Sequence, residues 1–302
     1  MSKLLKIFIF AACLICVLIS KSIASGKQTI YYQNYHFVFD RKDSLFVEKL
    51  VLKVKDQLVK IEDFFNYKPQ SIITIIITRS DSEYDFYKGN NIPEWSQAVA
   101  LTKENIIILK IATSEDVKKS PEILMHELVH IFFADRIKNQ NLPVWIHEGI
   151  AQYLSGYELT IDDRIHLANA LSTNKLISLS AMDTLFSFNQ SKARLAYIEA
   201  LAAIQFIVKV HGTAGLKQLI GKLDQKIPVN RAFEDALGYD FIDFEIYWYK
   251  ELRSQNRWLI LLNFENILWI SILLLLIFVL VLIKIKNRKL EKSWEDETKL
   301  LE

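Results

Sequence analysis

Between Ile267 and Ile283 the chain runs for 17 residues with one polar side chain, Ser271. As a helix that run is about 25 Å long. Leu273 to Ile283 is apolar on every face, so no side is left to turn toward water. A buried core helix is the alternative, but Lys284, Lys286, Arg288 and Lys289 follow at once. With Phe264, Ile285 and snorkelling lysines, the segment completes a membrane crossing and predicts a transmembrane helix over 264–285. The four cations belong on the cytoplasmic side, which makes 286–302 a cytoplasmic tail and turns the preceding 240 or so residues outward.

The N-terminus carries a second greasy stretch. Lys3 and Lys6 precede an apolar run from Ile7 to Ile19, and Ser22-Ile23-Ala24 is a small-x-small site. Residues 1–25 therefore read as a signal peptide or, if uncleaved, an anchor that leaves the same domain outside. Cys13 and Cys16 both lie in this stretch, so a cleaved chain has no disulfide, thiolate metal site or cysteine nucleophile. The two segments explain why the chain is 51% apolar and yet 24% charged. The middle holds 28 cations against 30 acids, with no clustered basic face, and no nucleic-acid partner is expected.

Within the middle, alternation around Tyr32, His36 and Val38 predicts a strand over 29–39. A helix from Ser44 to Phe65 follows, with Val47, Leu50, Val51, Val54, Leu58, Ile61 and Phe65 on one face. The β-branched run Ser71 to Thr78 reads as a buried strand. Ala98 to Leu101 and Ile106 to Ile111 form a hairpin turning at Lys103-Glu104-Asn105. From Pro121 onward the period is helical, over 121–135, 143–154, 161–171, 194–211, 214–222 and 241–254. The fold class is α+β: an N-terminal mixed sheet with a helix, then a helical cluster, then the C-terminal transmembrane helix.

The helical half opens on LMHELVHIFF, with His126, Glu127 and His130 in the HExxH pattern. Four residues is about one helical turn, so both imidazoles leave one face at a separation that a single metal can bridge. Glu127 is rotated about 100° from His126, which keeps its carboxylate off the metal and beside the metal's water. A catalytic zinc takes three protein ligands, so a third must lie elsewhere. The extended pattern HExxHxxGxxH fails, because Phe133 and Arg136 stand where Gly and His are needed. A downstream Gly-Thr-x-Asp ligand fails too, since Gly215 follows Gly212-Thr213-Ala214. The stretch Pro143-Val144-Trp145-Ile146-His147-Glu148-Gly149-Ile150-Ala151-Gln152-Tyr153 offers two adjacent candidates, His147 and Glu148, of which only one can face the metal.

HExxH followed by PVWIHEGIAQY resembles the gluzincin metallopeptidases, in particular the compact peptidase MA-like group with its P-x-W-x-x-E-G-x-A-x-Y pattern. The resemblance implies one zinc ion per chain held by His126, His130 and Glu148, with Glu127 as general base. It extends more weakly through Ala196-Tyr197-Ile198-Glu199-Ala200, His211 to Leu216 and Leu237 to Trp248, and covers a peptidase domain over 26–255. Tyr197 is the candidate donor to an oxyanion and His211 a rival, while His36 and His166 read as structural or surface groups. Gln97, Ala98, Val99 and Ala100 precede the metal helix where related folds offer an edge strand to an extended peptide. Tyr84 to Trp95 is a lid, a specificity loop or a packed surface loop. The expected function is an outward-facing, membrane-anchored zinc endopeptidase acting on peptide or protein. The alternative is a catalytically silent relative that binds peptide or envelope components; an intramembrane protease is excluded by charges bracketing the HExxH helix.

Overall fold

The computed structural model describes residues 26–88, 96–137, 142–261 and 264–300. The expected signal peptide and residues 89–95 of the expected lid lie outside the described residues. The chain divides into two compact units. One runs to Thr160 and resumes over Leu176–Leu252; the other combines Ile161–Lys175 with the chain from Arg253 onward.

The first unit begins with a five-stranded mixed sheet of order β1-β2-β3-β5-β4. The strands are β1 (Lys27–Tyr32), β2 (Tyr35–Asp40), β3 (Ile73–Thr78), β4 (Ala98–Leu101) and β5 (Ile106–Lys110). β2, β3 and β5 run parallel, and antiparallel β1 and β4 flank them. The single strand expected over 29–39 is in fact a hairpin. Gln33 takes a positive φ of 52° at the reversal, a turn that no glycine announces. Tyr35, Phe37 and Phe39 are the buried set of β2, and His36 lies between them.

Helix α1 (Ser44–Phe65) buries the expected stripe and ends at Asn66 in the left-handed region. It packs on β1 and β2. A short helix α2 (Asp81–Lys88), absent from the sequence reading, covers the other face of the sheet. There Tyr84 meets Ile76, Val99, Ile106 and Ile108.

Helix α3 (Ser114–Arg136) starts seven residues before the expected Pro121. Thr113 and Asp116 form a reciprocal capping box, which sets the true start. Pro121 then sits inside the helix and cannot donate to the Val117 carbonyl; the Ser120 hydroxyl takes that acceptor at 2.8 Å. α3 packs on β4, β5 and α1.

Helix α4 (Val144–Ser155) follows Pro143 and ends at Gly156 in the left-handed region. It packs between α3 and α6 (Gln190–Asp224); α5 (Ile161–Ser172) belongs to the second unit. The break expected between 211 and 214 is present as Gly212, at φ 68° and ψ 176°. α7 (Val229–Leu237) and α8 (Phe241–Gln255) complete the unit. α7 was not foreseen, being only nine residues long. Phe241 and Phe244 of α8 stack on Trp145 of α4 at centroid distances of 6.1 and 5.8 Å.

In the second unit, α9 (Arg257–Leu261) packs on α5, and α10 (Phe264–Leu300) contains the apolar run. From Ile267 to Lys289 it is long and apolar enough to cross a membrane, and none of that stretch is buried.

Two contacts of α6 are testable. At Gly149 an added Cβ meets the Ala200 carbonyl at 2.6 Å and Ile204 Cγ1 at 2.7 Å. Gly149→Ala is expected to cost about 1–3 kcal/mol by overpacking and to lower Tm; an unchanged Tm means that α4 and α6 separate freely. Glu199 of α6 is fully buried, and both its oxygens accept from the Ile177 N–H, at 3.2 and 3.0 Å. Burial nevertheless pushes its carboxyl up to about 8 from the ordinary 4.5. The folded protein therefore keeps a proton there that the unfolded chain gives up. The stability this proton supports is complete below about 4.5 and is lost as pH rises to 8. Glu199→Gln is expected to flatten the decline of Tm between those pH values, and a variant with the wild-type slope contradicts the assignment.

Candidate metal centre

α3 and α4 bring one face of each helix together, and the donor group lies between them. His126, His130 and Glu148 each direct one ligand atom into a cluster whose atoms lie within 4.8 Å of one another. Glu148 Oε2 is 3.3 Å from His126 Nε2 and 3.8 Å from His130 Nε2. The three side chains are 6%, 18% and 13% exposed, in the order Glu148, His126, His130. Glu148 Oε2 is buried without an aligned hydrogen-bond donor. A buried carboxylate oxygen left unpaired is costly, and a cation is the partner that this geometry admits. Bonds of 2.0–2.2 Å to tetrahedral zinc put donors about 3.4 Å apart, close to the two separations observed. The residues present therefore fit a divalent metal.

The electrostatics agree. Burial drives the His130 imidazole down to about 3, so it holds the neutral form that coordinates metal. Burial opposes protonation of His126 as well, but contact with the Glu148 carboxylate outweighs it and raises the pKa. Burial pushes Glu148 upward, and the imidazoles around it reverse that and keep it ionised. A metal ion bound here would replace the proton that His126 and Glu148 otherwise share.

His147, the rival third ligand, turns the other way. Its ring lies against His130 at 4.6 Å between centroids and against Phe133 at 4.5 Å. Among the described residues the donor cluster comprises Glu148 and the two HExxH histidines.

Glu127 stands beside the cluster. Burial chiefly, then the Glu148 charge, push its carboxyl up to about 7, against the opposing pull of His126 and the Ala100 backbone N–H. That N–H belongs to β4, the edge strand. Lys110 N donates to Gln97 O at 2.9 Å, so by the antiparallel alternation Gln97 and Val99 direct their backbone groups into β5, while Ala98 and Ala100 direct theirs outward. The Gln97 side chain donates to Asp116 Oδ1 at 2.6 Å, which ties the edge strand to the cap of α3. Ser96 Oγ donates to the Ala98 carbonyl at 2.5 Å and accepts from Tyr84 OH at 3.1 Å. Sequence reasoning placed Tyr84 in a loop; it is a buried helical residue, which an aromatic-rich eight-residue helix does little to announce.

Tyr197 of α6 approaches from the third side, its ring edge-on to His126 at 6.3 Å. Burial, with the Glu148 and Glu127 charges, raises its pKa and keeps the phenol a donor. His211 lies 14 residues further along α6, about 21 Å by helical rise, and pairs with Tyr239 OH at 2.6 Å. Asp183, which the sequence reading passed over, accepts from Val144 N at 3.1 Å and so caps the helix that carries Glu148.

A model of the Peptidase MA superfamily matches residues 53–254, a span that contains every residue of this centre. The chain belongs to the Peptidase MA superfamily. Within Bacillus subtilis (strain 168), the uncharacterized protein YhcO is similar to it, 20% identical over 232 residues that cover 72% of this chain and 69% of YhcO. Membership places the chain among peptidase-like proteins that typically depend on a metal, and the His126, His130 and Glu148 group is where this Peptidase MA chain could hold one.

The third ligand can be decided on the full chain by metal analysis. Glu148→Ala and His126→Ala are expected to lose bound zinc to background, and His147→Ala to keep it. Loss in His147→Ala with retention in Glu148→Ala reverses the assignment.

Proposed function

We propose that this chain is a gluzincin-type, zinc-dependent peptidase, anchored by α10, with its first unit on the extracytoplasmic side and residues 286–302 in the cytoplasm. The observation that carries the reading is the buried Glu148 oxygen held between two imidazoles at 3.3 and 3.8 Å, with a near-neutral Glu127 alongside. His126, His130 and Glu148 would hold zinc, which would supply Lewis acidity toward a scissile carbonyl and a water acidified to a pKa of about 7. Glu127 takes the proton from the attacking water and returns it to the leaving amine, work suited to a carboxyl poised near neutral pH. Tyr197 donates a hydrogen bond to the oxyanion of the tetrahedral intermediate.

Within the 97–100 segment the roles divide. Gln97 and Val99 hold β4 in place, and the outward Ala98 N–H and Ala100 carbonyl pair with an extended substrate backbone, the Ala98 carbonyl and Ala100 N–H being engaged by Ser96 and Glu127. Binding through backbone makes little demand on substrate sequence and suits an endopeptidase. The four cations after Ile283 support the orientation.

The test combines metal analysis with cleavage of unstructured peptides by the full chain. Glu127→Gln is expected to retain one zinc per chain and to lose about 10²–10⁴-fold in kcat/KM, the usual worth of a general base. Tyr197→Phe is expected to lower kcat with KM little changed, because its hydrogen bond forms in the transition state. Zinc bound without any Glu127-dependent cleavage transfers the protein to the silent, peptide-binding reading.

A further inference from the structure

α8 is apolar on two faces. Phe244, Trp248 and Leu252 are buried in the core of the first unit. On another side Ile242, Ile246 and Tyr249 stand one helical turn apart in a single stripe, 59%, 44% and 38% exposed, with Tyr247 beside them at 45%. Arg253 continues the stripe at the helix C-terminus, and Lys250 Nζ lies over the Tyr247 ring, 5.8 Å from its centroid. Next along the chain is Trp258, 70% exposed, with the Arg257 guanidinium 5.6 Å from its ring centroid.

Single exposed apolar residues are ordinary on any surface. This set differs in composition and in position. Aromatic rings with Lys and Arg alongside are the side chains that favour the boundary between hydrocarbon and headgroups. The position is fixed by the chain: from Gln255, two helical stretches and a few connecting residues reach Ile267 within about 30 Å, so α8 cannot leave the neighbourhood of any bilayer that α10 crosses. By contrast, the exposed stripe Leu45, Leu52 and Val59 on α1 has no such tether and no aromatic among its three residues.

We propose that the Ile242, Ile246 and Tyr249 face of α8 rests at the headgroup boundary of the membrane, and that Lys250 and Arg253 of the same helix favour anionic lipid there. The proposal rests on the reading of α10 as membrane-spanning.

The test uses the full chain with Cys13→Ser and Cys16→Ser, in nanodiscs of phosphatidylcholine alone or with one third phosphatidylglycerol. Spin labels are placed singly at Ile242→Cys, Ile246→Cys, Leu52→Cys on α1 and Leu275→Cys in α10, and each is saturated against oxygen and against a nickel chelate. Labels at 242 and 246 are expected to be lipid-like, with chelate access several-fold below that at 52, and lower still with phosphatidylglycerol. The label at 275 reports the anchor separately. Lipid-like behaviour at 275 with water-like behaviour at 246 overturns the docking of α8 alone. Water-like behaviour at 275 overturns the anchor and the docking together. Protection of 246 from both oxygen and chelate means protein covers the face, and also overturns the proposal.

Discussion

Burial of the Glu148 carboxylate is the constraint on which the arrangement of the first unit turns. A carboxylate in a protein interior costs several kcal/mol unless charge or hydrogen bonds compensate it, and one oxygen of Glu148 has no aligned donor. The compensation comes from α3, as two imidazoles a helical turn apart. α4 must then be seated to within a fraction of an ångström, and the residues around Glu148 do that. Trp145 is locked by aromatic rings of α7 and α8, Gly149 admits the α6 backbone, and Asp183 caps the first turn. A cation bound by this trio would link metal binding to the stability of the helix pair.

α3 connects this centre to the sheet. Its capping aspartate holds Gln97 at the start of the edge strand, and ten residues on, about 15 Å by helical rise, His126 enters the metal cluster. Glu127 closes the loop by meeting the Ala100 N–H of the same strand. The edge strand and the Glu127 carboxylate are thus fixed to one helix. Alignment between them does not depend on loops.

How much of this could be read from the sequence depends on where each determinant lies. HExxH and the PVWIHEGIAQY stretch are local patterns, and local patterns carried both the family and the donor cluster. The β-branched run at 73–78 and the seven-residue stripe of α1 were legible for the same reason. Features that depended on a partner distant in sequence were not. The turn at Gln33 lacks glycine, and the start of α3 is hidden by a proline whose missing hydrogen bond is made good by Ser120. The choice between His147 and Glu148 needed tertiary packing, because Phe133 and His130 give the imidazole a place to lie. Tyr84 and Asp183 act across gaps of 12 and 39 residues and carry no periodic signal.

The aromatic cluster of Trp145, Phe233, Phe241 and Phe244 sets what can move with what. Each such ring buries on the order of 150–250 Å², so sliding α8 against α4 forfeits several kcal/mol at once. Glu148 is therefore fixed more firmly to α8 than to the sheet. A displacement of α8 reaches Glu148 through three residues of one helix, whereas a displacement of β4 reaches it only by way of α3. α3 and α4 also pack directly on each other, so the separation that gathers His126, His130 and Glu148 is set by side chains of both helices before any ion joins them.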